Sequence, residues 1–442
     1  MQVKNNWFTL IIMLMLVFAS ESLVGQRKIT LSECMELGLK NSEDVLQQQV
    51  NMDIARNAVE RAKSPMLPQL NANIDLRDNT QLQTNVVPAG VLGSESRTVQ
   101  FGTSYNFIAG FGLTQNVFDR NVNSDLDIAG ARVKTREEEL NLLSTNVKLS
   151  IARAYYDVVL KAQVMKQAEA SLKREVEDYT EAEAKHKHGA LLDADYSRAR
   201  LEKNNAQAGR DLADDAYALS LLALKRAIGM AMDEPLEVAD DMQTLLTASG
   251  SLSTSQGAVA SLPEFKLEQA QQQVNELYVS KYEKSWMPSV QLYANFSANY
   301  LSNDLTEMVR NDWHPFSYFG AKVSVPLFDG FARNRAAQEY RLGMKVNQIN
   351  MQRIEQNFLF ETASAERAFE NAKTVLQNAI ASRSLAEEVL AADTKRYELG
   401  TLLQSELNRS EQLLKDAETN LVQSLYNFLL ADLNLKKANG LL

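Results

Sequence analysis

Two acids lie six positions past a glycine, Asp195 past Gly189 and Glu406 past Gly400, and an arginine follows each three residues on, Arg198 and Arg409. On a helix this spacing makes an exposed ion pair worth about 0.2–0.5 kcal/mol. Repeated around a pore, the same acids would form a ring that attracts cations, tempered by the arginines. Other reactive side chains are sparse. His186 and His188 are two apart and so face different sides of a helix, while His314 is distant in the chain, which argues against a metal set. Cys34 is the only cysteine, so no intramolecular disulfide forms, and an inert buried thiol is expected. No phosphate-binding glycine loop, nucleophile elbow or credible triad is present. The sequence therefore offers no catalytic residue, no metal site and no cofactor site.

A duplication positions these acids. The segment Gly189 to Gly229 reappears without a gap as Gly400 to Gly440, an offset of 211 positions, with Leu191/Leu402, Leu192/Leu403, Arg198/Arg409 and Lys225/Lys436 identical. Upstream, Val117-Phe118-Asp119 answers Leu327-Phe328-Asp329, and Pro68 answers Pro288. Each copy reads helix, proline, alternating segment, loop, alternating segment, Phe-Asp, very long helix, glycine, helix. The repeats are expected over 26–232 and 262–442. Between them, 233–261 reads as a linker rich in Ser, Thr, Gly and Ala that wraps the outside of the helical body.

From Asp119 to His188, and again from Asp329 to Leu399, prolines are absent and glycines few, so each stretch predicts a helix of about 70 residues, ~105 Å long. Asp119 and Asp329 are expected N-caps. Thr30 with Glu33, Asn41 with Asp44 and Ser261 with Glu264 have the capping-box spacing for the shorter helices. In the last helix Leu403, Leu407, Ser410, Leu414, Ala417, Leu421, Ser424, Phe428, Ala431, Leu435 and Ala438 alternate spacings of four and three, a heptad seam. The first long helix changes seam register after Val147, so it needs neighbours on more than one side, as a stave in a cylinder does. Gly189 and Gly400 are placed to end the long helices in left-handed turns.

Four segments alternate apolar and polar residues with period two: from Leu70 to Arg77, from Val99 to Val117, from Ser289 to Asn299 and from Tyr318 to Leu327. Each approaches the ~10 residues a tilted membrane strand requires. Trp286, Tyr293, Tyr300, Trp313, Phe316 and Tyr318 cluster near segment ends, where an aromatic girdle would sit. Four strands cannot close a barrel, and an open edge in lipid leaves backbone groups unpaired. Closure therefore requires further copies. Two would give eight strands and a nearly filled interior, whereas three would give twelve and a channel, which the Asn-, Ser- and Gln-rich parity favours.

Lys4, the apolar run from Trp7 to Phe18 and the small residues after it read as a signal peptide over 1–25. No other apolar run approaches a membrane-helix length, so entry into a membrane would be by strands. A net charge of −10 without a basic block makes nucleic acid an improbable partner.

The order of Leu-Pro-Gln-Leu (Leu67 to Leu70), paired strands, Val-Pro-Leu-Phe-Asp-Gly (Val325 to Gly330), a long helix, Tyr-Glu-Leu-Gly (Tyr397 to Gly400) and a closing Lys-Lys-Ala-Asn-Gly resembles the TolC-like outer membrane efflux proteins over essentially the whole mature chain. That resemblance implies a mainly α fold with β: an internally duplicated channel-tunnel protomer. Three copies would form a twelve-stranded barrel in outer-membrane lipid, continued by a helical barrel in the periplasm. It also implies an exit duct, not an enzyme, working with a periplasmic adaptor (membrane fusion) protein and an inner-membrane transporter for efflux or type I secretion. The family's Tyr-x-x-Gly turn is the adaptor contact, which maps to Tyr397 and Gly400, and to Gly189 with His186 replacing the tyrosine. The family's gate acids map to Glu406, with Asp195 in the first copy, while Arg409 replaces the expected second acid. The rival reading is a secreted periplasmic coiled-coil structural or adaptor protein, which the four alternating segments disfavour.

Overall fold

A computed structural model describes residues 27–91, 94–249, 257–306 and 313–442. The expected signal peptide over 1–25 and the centre of the linker lie outside the described residues. In chain order the elements are β1 (Arg27–Ile29), α1 (Leu31–Asn41), α2 (Glu43–Lys63), β2 (Gln69–Asp78), β3 (Thr84–Val87), β4 (Arg97–Gln100), β5 (Tyr105–Phe118), α3 (Arg120–Lys187) and α4 (Asp193–Ile228). Then follow β6 (Leu236–Val238), α5 (Met242–Ser249), α6 (Pro263–Lys284), β7 (Ser289–Ser302), β8 (Trp313–Ser324), α7 (Ala332–Glu398) and α8 (Gln404–Ala438). The copies match in length: α3 and α7 have 68 and 67 residues, α4 and α8 have 36 and 35, α2 and α6 have 21 and 22.

Helix starts follow local chemistry where it is available. Asp119 is the expected N-cap of α3, its carboxylate accepting the Asn121 N–H at 2.9 Å, whereas α7 starts only at Ala332, and Asp329 reaches over the Gly330–Phe331 turn to accept the Arg333 N–H at 3.0 Å. Thr30 and Glu33 form a reciprocal capping box. The other two expected boxes do not form. Asn41 is the last residue of α1, and Ser42 separates that helix from α2. Ser261 donates its hydroxyl to the Ala258 carbonyl at 2.7 Å, and Pro263, pre-set for a first helical turn, starts α6.

The chain divides into two compact units. Among the described residues the first comprises 27–48, 140–249, 257–263 and 354–442. Its core joins Ile29, Cys34, Val45, Ile151, Tyr155, Leu224, Ile228 and Leu433. Around 147–160, α3 is buried on nearly every side, including Leu149, Ile151, Ala152, Tyr155, Tyr156, Val158 and Val159, which is the physical meaning of its changing seam. The α8 seam is buried at Leu407, Ser410, Ser424, Phe428, Ala431 and Leu435, and a second stripe of Val422, Leu429 and Leu433 is buried beside it. The linker is not merely a wrapping: β6 pairs in parallel with β1, and Met242 and Leu245 of α5 enter the core. A polar latch fixes this pairing. The buried Tyr155 hydroxyl donates to the Asp240 carboxylate at 2.8 Å, lies 3.1 Å from the Ile29 carbonyl and accepts the Asp240 N–H at 3.3 Å. The same carboxylate accepts the Leu31 N–H at 3.3 Å. Burial, and then the bond to Asp240, push the Tyr155 hydroxyl well above the ordinary tyrosine range, so it remains a donor.

The second unit comprises 49–139 and 264–353. Its antiparallel sheet has the order β2-β5-β7-β8. Register aligns the apolar parities across all four strands: Leu70, Leu113, Ala294 and Phe319 form one row, and Leu76, Phe107, Tyr300 and Trp313 another. Much of this face is bare, with Ile74 and Phe319 at 74% and 90% exposure. The opposite face carries Asn71, Asn73, Asn295 and Asn299. Two strand expectations change. The segment from Val99 breaks at Gly102, whose φ is +119°, so β4 pairs with β3 in a separate hairpin and β5 starts at Tyr105. The last strand runs Trp313–Ser324 and stops before Pro326, which lacks the N–H a ladder needs. The girdle expectation also changes: Tyr293, Phe316 and Tyr318 have the polar parity, with Tyr293 lying over Gly320. At the sheet end where β7 begins and β8 ends, Trp286, Leu327, Phe328 and Phe331 are exposed instead. Phe331, at φ 66°, is the only non-glycine residue in the left-handed region among the described residues.

Candidate functional site

The expected site residues gather at two turns with the same backbone. At the first, the Gly189 N–H donates to the His186 carbonyl and the Ala190 N–H to that of Lys185, both at 2.9 Å. At the second, Gly400 donates to Tyr397 at 2.8 Å and Thr401 to Arg396 at 2.9 Å. Both are Schellman closures, and the glycines have φ 71° and 70°, where a Cβ is strained. The following helices start from Leu192 and Leu403, extended at ψ 148° and 146°, with no side-chain capping bond. Leucine is a poor N-cap. These two are 73% and 70% exposed, so each turn displays an apolar side chain that serves neither capping nor the protomer's core. Leu403, expected to open the α8 seam, instead stands ahead of the helix with its side chain exposed; the poor fit of leucine to an N-cap is the signal in the sequence for both positions.

The side chains around the two turns differ. In the first, His186 Nε2 lies 2.7 Å from Asp193 Oδ1, and its ring stacks on Tyr196 with centroids 4.6 Å apart. The Tyr196 and Tyr179 hydroxyls bond at 3.0 Å, which raises the Tyr179 titration above its usual range, and Lys203 sits 4.4 Å over the Tyr179 ring. At the matching positions the second copy has Tyr397, Gln404, Leu407, Leu390 and Leu414. There Asp393 binds inward instead, accepting the Ser410 hydroxyl at 2.5 Å and pairing with Arg396 at 3.2 Å.

The gate acids are not equivalent either. Asp195 pairs with Arg198 at 2.9 Å, whereas Glu406 and Arg409 are exposed and form no ion pair among the described residues. Further along these helices, Glu175 and Asp178 of α3, Glu202 of α4 and Glu411 of α8 share a patch with Arg174 and Lys415. Partial burial first, then mutual repulsion, raise Glu175 and Glu411 above the usual carboxylate range. These acids come from three helices, so no local motif could reveal them. Among the described residues no group of three or more His, Cys, Asp or Glu is placed to hold a metal ion, and no helix is long and apolar enough to cross a membrane.

The family model described as "Outer membrane efflux protein" matches residues 35–230 and again 245–441, one match per copy. The outer membrane protein TolC of Vibrio cholerae serotype O1 is 22% identical over 435 residues, covering 93% of this chain and 91% of TolC. Two solved structures share the fold. The Campylobacter jejuni CmeC outer membrane channel gives a TM-score of 0.71 at 16% identity, covering 93% of this chain and 85% of that one. The outer membrane protein VceC of Vibrio cholerae gives 0.68 at 15% identity, covering 93% and 96%.

Proposed function

Because the chain belongs to the outer membrane efflux protein family, we propose that it is the passive exit duct of a tripartite efflux or type I secretion system, assembled as a homotrimer. The observation that carries this reading is the sheet with two unpaired edges. Strands β2 and β8 end the order β2-β5-β7-β8, and strands of 10 to 14 residues suffice to cross a bilayer when tilted. In lipid those edges need partners, and three copies pair them in a ring of twelve strands. The bare apolar parity then meets lipid, the asparagine-rich parity meets water, and Trp286, Leu327, Phe328 and Phe331 mark the membrane boundary.

The edge helices support the same closure. Helix α2 leads into β2 and α7 follows β8, and each bears an exposed apolar stripe: Val50 and Ile54 on α2, Leu342, Val346 and Ile349 on α7. Packing α7 of one copy on α2 of the next covers both stripes.

In this reading the two turns form the periplasmic entrance. Tyr397 and Gly400, with Gly189 and His186 in the first copy, dock to a periplasmic adaptor, with Leu192 and Leu403 as apolar anchors, and an inner-membrane transporter supplies the drive. Glu406 and Asp195, with Arg409 and Arg198, set the charge of the entrance. The deciding experiment is the mass of the detergent-solubilised particle from the outer-membrane fraction. Three chains and an ion-conducting pore in planar bilayers are expected. A soluble monomer in the periplasmic fraction would sink the proposal and favour a coiled-coil adaptor.

A further inference from the structure

The second unit contains a cavity of about 810 Å³, lined by all four of its helices: Arg61 of α2, Ala129, Arg132 and Arg136 of α3, Tyr278 of α6 and Tyr340 of α7. That volume lies within the ~300–1,000 Å³ range of small-molecule sites. The Tyr278 and Tyr340 rings stack at 4.3 Å with 4° between planes, which presents a preformed aromatic surface. The Arg132 guanidinium donates to the Tyr278 hydroxyl at 2.7 Å and lies 5.6 Å from that ring's centroid, which leaves other N–H groups for a ligand.

The charge balance selects the ligand's sign. Arg136 is neutralised by Glu139 at 2.6 Å, and Asp125 by Lys281. Arg61 and Arg132 have no carboxylate partner among the described residues. The groove thus joins an aromatic plate, a small-residue floor and two uncompensated guanidiniums, groups suited to stacking and to bidentate binding of a planar anion. We infer that this groove binds planar aromatic anions, carboxylates or sulfonates, and that they are one class of cargo met on the way through the duct.

The second part of this inference rests on the duct reading. Arg132 and Asp125 of α3 reach Tyr278 and Lys281 of α6, and Asn275 of α6 reaches Asn347 of α7, so α3, α6 and α7 lie side by side, with α2 completing the wall of the cavity. In the duct reading, closure by further copies turns the side that all four helices line toward the conduit.

The test is equilibrium dialysis of 2-naphthalenesulfonate against the full-length protein in lipid nanodiscs, with conductance of the same preparation measured in parallel. Saturable binding of one sulfonate per chain is expected. The double variant R61Q/R132Q should weaken it at least tenfold, and 2-naphthylmethylammonium should not compete. Both arginines are exposed, and unchanged particle mass verifies the variant's fold. Unsaturable binding, equal binding by the variant or equal competition by the cation overturns the site. A preparation that conducts but does not bind loses only this inference; one that binds but does not conduct keeps the site and loses the duct reading.

Discussion

Asp195 and Glu406 occupy matching places after their glycines, yet only Asp195 is held by its arginine, at 2.9 Å. An acid already paired contributes less field to a narrow passage than one that is free. Glu406→Gln should therefore reduce cation selectivity and block by multivalent cations several-fold in planar bilayers, and Asp195→Asn should do so weakly. Equal effects of the two would show that the protomer's pairing does not persist in the open entrance. The turn glycines were legible from sequence because a left-handed residue after a long helix is a local requirement. The stack of His186 on Tyr196 was not, since it depends on how two helices face each other across the turn.

At the scale of elements, legibility followed the range of the interaction. Asp119 caps the next turn of its own helix, so the sequence pattern sufficed, while Asp329 acts on Arg333 from ahead of a helix start that the Gly330–Phe331 turn delays to Ala332. Asn41 and Ser261 have the same spacing but lost to local competitors, Ser42 as the break and Pro263 as the helix start. Strands β1 and β6 were not legible at all: each has three residues, and register pairs Ile29 with Val238 far along the chain. What secures them is Tyr155 in the middle of α3. Tyr155→Phe keeps the ring but leaves the Asp240 carboxylate and N–H short of a partner, at a cost of about 1–3 kcal/mol. Hydrogen exchange should accelerate at 27–31 and 236–240 before the rest of the unit; unchanged protection there would mean that the ladder alone holds the pairing.

At the scale of the whole molecule, the strand parities were readable because one face is mainly apolar, and register brings all four onto that face. The hairpin β3–β4 was hidden because Val99 of β4 continues the parity of β5, from which only the backbone at Gly102 separates it, and because β3 has only four residues. Assembly should depend on the edge helices. Ile349→Asp places an uncompensated charge in the proposed seam between α7 and α2, and it should shift the purified particle from three chains toward one while leaving helical content unchanged. A stable trimer from that variant would place the seam elsewhere on the protomer.

The core of the first unit draws Ile29, Leu236 and Leu433 into one cluster. A chain is made from its N-terminal end. Its early residues cannot complete this core until Leu433 has followed, nearly the whole length later. Native contacts of such separation form slowly. The half-core of the first unit therefore waits on the last helix, and the folding of this protein is paced by the arrival of its C-terminal end.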